Sequence, residues 1–283
     1  MVRAAEALAW LGLAALLGSY LGAVHNLGDS LAVFRWQIAV GTLVASLAAL
    51  HRSMRLAVPA ALAALSIADL AAPRLSAPEP GPVTVYQKNM LWVNGGWRAL
   101  ADEIVSQSPD VLFLQEVTEP NRNVLEMVAP ALPHALHCGW RAVGGPALAT
   151  RWEPLEGSEV CETGLVALRV RAPFGEVTLA SIHLHWPFPF QQEAHLDRLV
   201  PVLEGLERPV ILGGDLNMVP WAHGPARIAR AIGAGPIRPA VPSYDLAPLA
   251  SLPIDHVFAA SGTVERRPLA GSDHYGVLAR VTP

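Results

Sequence analysis

The sequence predicts a layered α/β or α+β domain that follows a hydrophobic N-terminal anchor. Of the 283 residues, 52% are hydrophobic and 16% are charged, and the mean hydropathy is +0.34. The apolar excess is concentrated before Pro82, whereas the rest of the chain mixes short apolar runs with turn residues and charges. In that second region strand-like runs alternate with amphipathic helical patterns, which is typical of a layered domain.

The anchor, residues 1–72, contains three apolar stretches. Ala7 to Gly28 has no charged side chain, and a helix of this length, at about 1.5 Å per residue, can cross a hydrocarbon layer of about 30 Å. Leu31 to Leu50 is interrupted only by Arg35, near one end, where its stem can reach toward head groups. Leu56 to Ala72 is shorter and contains a proline and an aspartate, so it fits a membrane helix, a surface-lying segment or a domain interface. We therefore expect two or three transmembrane helices.

The alternatives to a retained anchor are a cleaved signal peptide, because Arg3 precedes the first apolar run, and a buried soluble helix bundle. The two further apolar stretches argue against cleavage. The connection from His51 to Arg55 is basic, whereas Asn26 to Ser30 has no Lys or Arg, so the basic connection is expected in the cytoplasm. Three crossings would place the following domain outside the inner membrane, and two would leave it in the cytoplasm. We expect a multi-pass protein with an extracytoplasmic domain.

A Pro-rich linker, residues 73–82, marks the domain boundary. Each proline ring fixes its own φ and disfavours helix in the residue before it, so the linker is expected to be extended and semi-rigid. Residues 83–283, about 200 in number, are enough for one domain with a substantial core.

The elements of this domain are predicted from hydrophobic period and composition. In chain order they are the strand Val83–Tyr86, the helix Trp97–Ser106, the strands Val111–Leu114, Gly164–Val170 and Val177–His183, the helix Gln191–Leu203, the strand Val210–Leu212, the helix Ala226–Ile232, and the strands Ile254–Ala259 and His274–Val281.

Several of these apolar strands end in carboxylates, amides or imidazoles. The first run ends in Asn89, the next in Glu116, and the run from Val210 in Asp215 and Asn217. Further acidic and histidine residues stand at the start of the last two strands. Strand ends of this kind can converge on one site.

Five segments in this order resemble the endonuclease/exonuclease/phosphatase (DNase I-like) superfamily, in its membrane-anchored bacterial type. The terminal Ser-Asp-His after a Gly-Asp-x-Asn is the specific part of the resemblance, which spans essentially residues 83–283. It implies a four-layer sandwich, in which two mixed β-sheets face each other and helices flank them. The segments are Asn89, Gln115-Glu116, Gly214-Asp215-Leu216-Asn217, Ile254-Asp255-His256 and Ser272-Asp273-His274.

The resemblance implies a divalent metal. Mg²⁺ is hard, prefers oxygen ligands and is usually held by one or two carboxylates plus substrate phosphate, so Glu116 is the natural principal ligand. Asn89 would assist at the metal, and Asp273 would act at or near it. Mn²⁺ is an expected substitute.

The catalytic residues are also carried over from the family. Asp215 would orient or deprotonate the attacking water, and Asn217, two residues on and on the same face of an extended strand, would hold a phosphate oxygen. Asp255 would pair with His274, fix its tautomer and favour the protonated form, which can donate to phosphate.

Further candidates lie around these motifs. His183 and His185 are two apart on a predicted strand and share a face, and the resemblance gives His183 a phosphate contact. His185 and Trp186 are expected on the substrate side. His256 is left outside the catalytic set, as a packed or surface histidine. Tryptophans near the motifs can line a groove, touch lipid or pack in the core; they are Trp92, Trp97, Trp186 and Trp221.

The two cysteines, Cys138 and Cys161, are too few for a zinc site and lack a thiol-nucleophile motif. Outside the cytoplasm they would form either a disulfide or two free thiols. The sequence leaves both open.

The substrate follows less directly from the motifs. Relatives include DNA nucleases, sphingomyelinases, inositol-phosphate phosphatases and membrane-bound bacterial lipid phosphatases. After Pro82 there are 15 basic and 20 acidic residues, a formal charge of −5, so no overall basic field gathers nucleic acid. An anchored enzyme meets lipid head groups at high effective concentration.

We therefore expect a membrane-tethered, Mg²⁺-dependent phosphoesterase that cleaves a lipid phosphate or phospholipid head group with metal-activated water. A DNA endonuclease or exonuclease and a noncatalytic membrane-anchored binding module are the alternatives. The expected partners are the bilayer and a lipid-linked phosphate ester, and the sequence indicates no obligate protein partner.

Overall fold

The computed structural model describes residues 2–75, 78–139, 143–248 and 250–283, so Ser76 and Ala77 of the predicted linker lie outside the described residues. The α-helices in these ranges are α1 (Val2–Gly18), α2 (Leu27–Val33), α3 (Arg35–Ala49), α4 (Ala57–Ala71), α5 (Trp97–Gln107), α6 (Asn123–Val128), α7 (Gln192–Glu204) and α8 (His223–Ile232). The strands are β1 (Val83–Asn89), β2 (Val111–Val117), β3 (His134–His137), β4 (Gly145–Thr150), β5 (Glu153–Pro154), β6 (Val160–Glu162), β7 (Leu165–Ala172), β8 (Gly175–His183), β9 (Val210–Asp215), β10 (Gly235–Pro236), β11 (Tyr244–Ala247), β12 (Ala250–Leu252), β13 (Asp255–Ala259), β14 (Ser261–Arg267) and β15 (Gly276–Thr282).

The N-terminal helices α1, α3 and α4 pack against one another. Arg35, at the start of α3, donates from Nε to Ser19 Oγ, just after α1, at 2.9 Å. A short turn joins α3 to α4. Successive helices of this bundle therefore run in opposite directions, with the basic connection from His51 to Arg55 at one end and Ser19 at the other.

The helix bounds differ from the predicted spans. α1 has 17 residues and ends at Gly18, not Gly28. The Arg35 side chain donates hydrogen bonds to both the hydroxyl and the carbonyl of Ser19, and the chain turns after that residue. By length and composition, Met54–Leu75 is the one described helix that could cross a membrane. The bent pair α2 and α3, 73° apart, would add a second if it forms one span.

Two mixed sheets form the centre of the domain. In the first, the described strands follow the order β14-β15-β1-β2-β4-β3, and in the second the order is β10-β13-β9-β8-β7-β5 with β6 beside β7. The pairs β1/β2 and β8/β9 are parallel. Their carboxyl ends put Asn89 beside Gln115 in one sheet and His183 beside Asp215 in the other.

The core lies in three apolar layers. Between the sheets, Val85 and Phe113 of the first pack in one cluster with Leu179 and Ile211 of the second. The outer face of the first sheet packs with α5 and α6, and that of the second with α7 and α8. The four-layer sandwich predicted from the resemblance is confirmed.

The two cysteines are joined. Cys138 and Cys161 form a disulfide with Cα atoms 5.6 Å apart. Of the two alternatives that the sequence left open, the structure has the disulfide.

The N-terminal helices are also in contact with the α/β domain. Asp29 of α2 accepts hydrogen bonds from the backbone N–H groups of His223 (2.8 Å) and Gly224 (3.2 Å), at the N-terminus of α8. Trp221 Nε1 donates to the Ala32 carbonyl at 2.9 Å. Ala32 and Val33 belong to the same buried cluster as the outer face of the second sheet.

Candidate active site

A buried carboxylate and imidazole form the best-defined pair of the site. Asp255, the first residue of β13, accepts a hydrogen bond from His274 Nδ1 at 2.8 Å and a second from Gln87 Nε2 at 2.7 Å. Burial lowers the pKa of His274, but the negative charges of Asp255 and Asp215 outweigh it and raise that pKa to about 10. The imidazole is therefore held protonated, with its Nε2 side toward Asp215.

Asp215, the last residue of β9 in the second sheet, contacts Asn89 of β1 in the first sheet. Its Oδ2 atom accepts from Asn89 Nδ2 at 3.0 Å and lies 3.5 Å from His183 Nε2 and 3.8 Å from His274 Nε2. Burial first and the nearby charge of Asp255 second raise the pKa of Asp215. A carboxylate in this environment is a stronger proton acceptor than one in water.

An irregularity in β2 turns Glu116 toward the surface groove that Asp215 and His274 also line. The register with β4 shifts between Leu114 and Val117, and Glu116 has the positive φ of 57° that few residues other than glycine adopt. Gly144, φ 78°, lies so close that a Cβ there would be 2.4 Å from the Glu116 carbonyl carbon. Strain of this kind is frequent at functional sites.

The Glu116 carboxylate is linked to Asp215 through a single amide. Asn89 Nδ2 donates to Glu116 Oε1 at 2.9 Å as well as to Asp215, and the N–H of Trp92 donates to Glu116 Oε2 at 2.8 Å. Asn89 Oδ1 accepts from the N–H of Leu91 at 2.9 Å. Asn89 thus positions both carboxylates, and its direct contact with a metal stays a prediction.

The chain turns sharply after Asp215. Asn217 has φ 49° rather than the expected extended geometry, because its N–H donates to Asp215 Oδ1 at 2.8 Å. Its Nδ2 donates to the Leu184 carbonyl at 2.8 Å. Asp215 and Asn217 still line one groove.

The predicted last strand begins two residues late. Its first ladder residue is Gly276, and His274 instead forms an isolated bridge with Tyr244. Asp273 is exposed and lines the groove beside it. The Tyr244 ring contacts the His274 ring, with centroids 4.8 Å apart and the planes tilted by 41°.

Between these residues lies an open groove of about 650 Å³. Asn89 and Asp255 lie behind its wall, where they contact Asp215 and His274. His185 lies beyond the end of β8 rather than on the strand, with its ring 4.7 Å from that of His195. The predicted site residues on the groove wall are Glu116, His183, His185, Trp186, Asp215, Asn217, Asp273 and His274.

The groove has a donor set that fits a hard divalent cation. Glu116 and Asp273 present carboxylate oxygens, as Mg²⁺ prefers, and the open space leaves room for waters and a phosphate. A second arrangement is formed by Asp215, Asp255 and His274, whose ligand atoms lie within 4.8 Å of one another. An ion there would have to break the buried His274–Asp255 hydrogen bond, so Glu116 is the better candidate ligand.

Several residues of the site do not follow from the motifs. Lys88 is buried in β1, and its Nζ donates to the carbonyls of Leu269 (2.7 Å), Pro268 (3.4 Å) and His274. A lysine within a buried strand is the signal that would have found it. Asn121 donates to the Glu116 carbonyl at 3.1 Å and caps the turn that follows β2. Tyr244 carries no comparable signal.

A model of the Endonuclease/Exonuclease/phosphatase family matches residues 93–274. Among curated proteins, none matches the chain in sequence.

Solved structures share the fold. TDP2 from D. rerio, complexed with a single-strand DNA product, has 19% identity and a TM-score of 0.55, over 70% of this chain and 97% of that one. A mutant beta toxin from Staphylococcus aureus with bound magnesium ions has 12% identity and a TM-score of 0.52, over 71% and 99%. A family protein from Leptotrichia buccalis has 16% identity and a TM-score of 0.54, over 71% and 100%. With its family-model match over most of the domain and this shared fold, the chain belongs to the endonuclease/exonuclease/phosphatase family.

Proposed function

We propose that the chain is a membrane-tethered, Mg²⁺-dependent phosphoesterase that hydrolyses a lipid phosphate or a phospholipid head group. One observation supports this chemistry best: three nitrogen atoms surround Asp215 Oδ2, namely Asn89 Nδ2, His183 Nε2 and His274 Nε2. The Asn89 side-chain amide also donates to the Glu116 carboxylate. Proton acceptor, cationic donor and metal carboxylate thus border one groove, as a phosphoryl transfer requires.

Each residue of the site has a role that fits its charge. Asp215, with its raised pKa, orients a water and takes its proton. His274, kept protonated by Asp255, donates from Nε2 to a phosphate oxygen, and His183 is placed to donate to a second. Glu116, with Asp273 near it, would hold Mg²⁺, which when bound would supply positive charge to the phosphate oxygens.

An apolar rim supports a lipid substrate. The groove wall includes Phe190, which is 61% exposed, and the adjacent Phe188 is 43% exposed. The Phe188 carbonyl accepts a hydrogen bond from Ser30 Oγ of the anchor at 2.7 Å, and the His25 ring packs edge-on against the Phe188 ring. The catalytic groove therefore opens beside the segment that would face the bilayer, where an acyl or prenyl chain would be at hand.

We infer the side of the membrane from the direction of the helices in the bundle. The basic connection His51–Arg55 lies at the end of the bundle away from Ser19 and Arg35, and Arg35 Nη1 contacts the Trp221 carbonyl of the domain at 3.4 Å. If α1, α3 and α4 all cross the membrane and the basic end is in the cytoplasm, the domain lies outside the inner membrane. A disulfide between Cys138 and Cys161 is in keeping with an oxidising compartment.

A substrate comparison tests the proposal. The full chain, purified in detergent, would be assayed with Mg²⁺ and with EDTA against lipid monophosphates, phospholipids and supercoiled plasmid. We expect Mg²⁺-dependent lipid hydrolysis that Glu116→Ala and Asp215→Asn each reduce by two or more orders of magnitude, roughly as for other lost charge-stabilising groups. Asp102→Asn, an exposed carboxylate on α5, is the matched control.

Two results would contradict it. Plasmid nicking that depends on Glu116, without lipid turnover, would favour a nuclease; the structurally similar TDP2 is complexed with a single-strand DNA product. Unchanged cellular phenotypes for both Asp215→Asn and His274→Ala would favour the noncatalytic binding module.

A further inference from the structure

A second cavity lies where the N-terminal helices meet the catalytic domain. It has a volume of about 390 Å³ and is separate from the catalytic groove in its lining. One wall comes from the start of α3 and the end of the Met54–Leu75 helix, and the other from loops that follow β9, β10 and β11 and from β12. The residues that decide its chemistry are Trp36, Asp69, Arg74, Trp221, Arg238 and Leu252.

The cavity combines positive charge with apolar surface. Arg74 and Arg238 supply two guanidinium groups against the one carboxylate of Asp69. Arg238 Nη2 donates to the Pro220 carbonyl at 3.3 Å, which holds its guanidinium beside the cavity. Planar guanidinium groups match phosphate geometry and are less strongly hydrated than ammonium groups.

The remaining wall is suited to hydrocarbon. Leu252 and Leu70 are buried, and the indoles of Trp36 and Trp221 border the same space. Indole rings are enriched at the depth of lipid head groups, where one edge meets apolar chains and the N–H meets polar groups. The cavity thus has both parts of an amphiphile site, a cationic end and an apolar end.

Its place in the fold selects the occupant. Leu70 and Arg74 lie at the last turns of the helix that could cross a membrane, and Trp36 lies in the first turn of α3. If these helices cross the bilayer, the cavity is level with the head groups, and arginine stems there can follow the acyl chains.

We propose that this cavity binds one anionic phospholipid of the surrounding bilayer, with its phosphate between Arg74 and Arg238 and its acyl chains along Trp36 and Leu70. The proposal rests on the membrane tethering of the proposed function. The bound lipid would touch Ser251 and Leu252 of β12, and Tyr244 pairs with Leu252 in the same hairpin while its ring covers His274. The site therefore connects membrane lipid to the hairpin that borders the catalytic groove.

Native mass spectrometry of the detergent-purified full chain tests the site. Wild type is expected to retain phosphatidylglycerol over phosphatidylcholine. The double variant Arg74→Gln/Arg238→Gln should lose affinity for phosphatidylglycerol by about tenfold or more, because each basic group near a head group strengthens binding severalfold. Asp69→Asn should raise the affinity, which a misfolded variant would not do. Arg171→Gln, an exposed arginine on β7, is the control and should change nothing.

The outcomes separate this site from the tethering. The full chain is also mixed with vesicles, which are then sedimented. Wild type that does not sediment with the vesicles overturns the tethering and this proposal together. Wild type that sediments but retains both lipids equally, or a double variant that keeps the preference, overturns this proposal alone. Displacement of the lipid by inorganic phosphate would also overturn it, since the site would then bind free anions. Hydrolysis of a water-soluble phosphodiester by the variants checks that they are folded.

Discussion

At the scale of single residues, the pair formed by Asp255 and His274 decides the charge in the groove. The imidazole is raised to a pKa of about 10 although burial alone would lower it, so the protonated form depends on its acidic neighbours. Asp255 is the neighbour that makes the hydrogen bond, at 2.8 Å. Removing the charge of Asp255 should therefore change the protonation of His274 while the fold is kept.

Asp255→Asn should lower kcat by about 10²–10⁴-fold, the range for losing a positioned acid or base. It should also move the loss of activity at high pH to a lower pH, because His274 would then lose its proton more readily. The pH profile of kcat with a soluble phosphodiester measures both, with Asp102→Asn as the control. A variant whose high-pH limb coincides with that of wild type would show that Asp255 does not hold the proton on His274.

His256 gives a residue-scale prediction for stability. It is buried against the Met218 carbonyl, and burial lowers its pKa to about 4. The folded state therefore holds fewer protons than the unfolded state between that pKa and an unfolded value of about 6.5, so stability is present above about 6.5 and falls as pH falls toward 4. At pH 5 the expected loss relative to pH 7 is about 2 kcal/mol.

Unfolding in detergent at pH 7 and pH 5 checks this. His256→Gln should remove most of that pH dependence, whereas His51→Gln, on an exposed turn, should retain it. Equal acid sensitivity in wild type and His256→Gln would mean that another group titrates there.

The residues that the sequence predicts and those it misses differ in how they reach the site. Glu116, Asp215 and His274 each stand next to an apolar run, and the structure puts them on one groove. Gln87 acts through a hydrogen bond to Asp255, 168 residues along the chain. Tyr244 acts through a ring contact between the β11–β12 hairpin and His274, in the loop before β15. No local pattern marks such partners, because only the packed sheets bring them together.

At the scale of elements, one buried side chain fixes the loop that carries two site residues. Lys88 Nζ donates to three carbonyls of residues 268–274, just before β15. Burial lowers the pKa of Lys88 to about 8, and the negative charges of Asp255, Asp273 and Glu103 oppose that lowering. This loop has no sheet partner of its own apart from the bridge at His274.

Lys88→Met should preserve the apolar stem while leaving those carbonyls without a donor. We expect turnover to fall at least tenfold, with a small change in KM, because the His274 imidazole would be less well positioned. Steady-state kinetics measure it, and Arg98→Met on the exposed face of α5 is the control. Unaltered kinetics for Lys88→Met would show that the loop is held by other contacts.

A second element-scale prediction concerns α8. Asp29, in the N-terminal helices, accepts hydrogen bonds from the N–H groups of the first two residues of α8. It therefore caps α8 from a segment that is distant in the chain. Asp29→Ala should lower the free energy of unfolding by about 1 kcal/mol. Thermal unfolding in detergent, compared with Asp102→Ala, measures it. An unshifted Tm would mean that water caps the helix equally well.

The secondary structure was predictable where period and composition agree. α5, α7, β8 and β9 lie within two or three residues of their predictions. The β2 bulge, the turn at Asn217 and the late start of β15 were not predictable, because each depends on a side-chain contact made only after folding. These departures all border the groove, where local rules give way to the geometry of the site.

At the scale of the whole molecule, the N-terminal helices and the α/β domain pack together as one unit. Hydropathy separates them, and the Pro-rich linker suggests independence, yet Ala32 and Val33 share the core cluster of the second sheet. The contact was not predictable from either segment alone, since the hydrogen bonds of Asp29 and Trp221 join residues nearly two hundred positions apart. The groove therefore has a fixed position relative to the helices, which makes sidedness testable.

The last prediction concerns that sidedness. The basic end of the bundle lies opposite the end that contacts Trp221, so three crossings with His51–Arg55 in the cytoplasm require Pro283 to be outside. A C-terminal alkaline phosphatase fusion should be active and a green fluorescent protein fusion dark, and Cys138 should resist alkylation until a reductant is added. Replacing the basic residues of His51–Arg55 with neutral ones should weaken this orientation. A fluorescent fusion with freely alkylated cysteines would place the domain in the cytoplasm, and lipid hydrolysis would then have to occur at the inner leaflet.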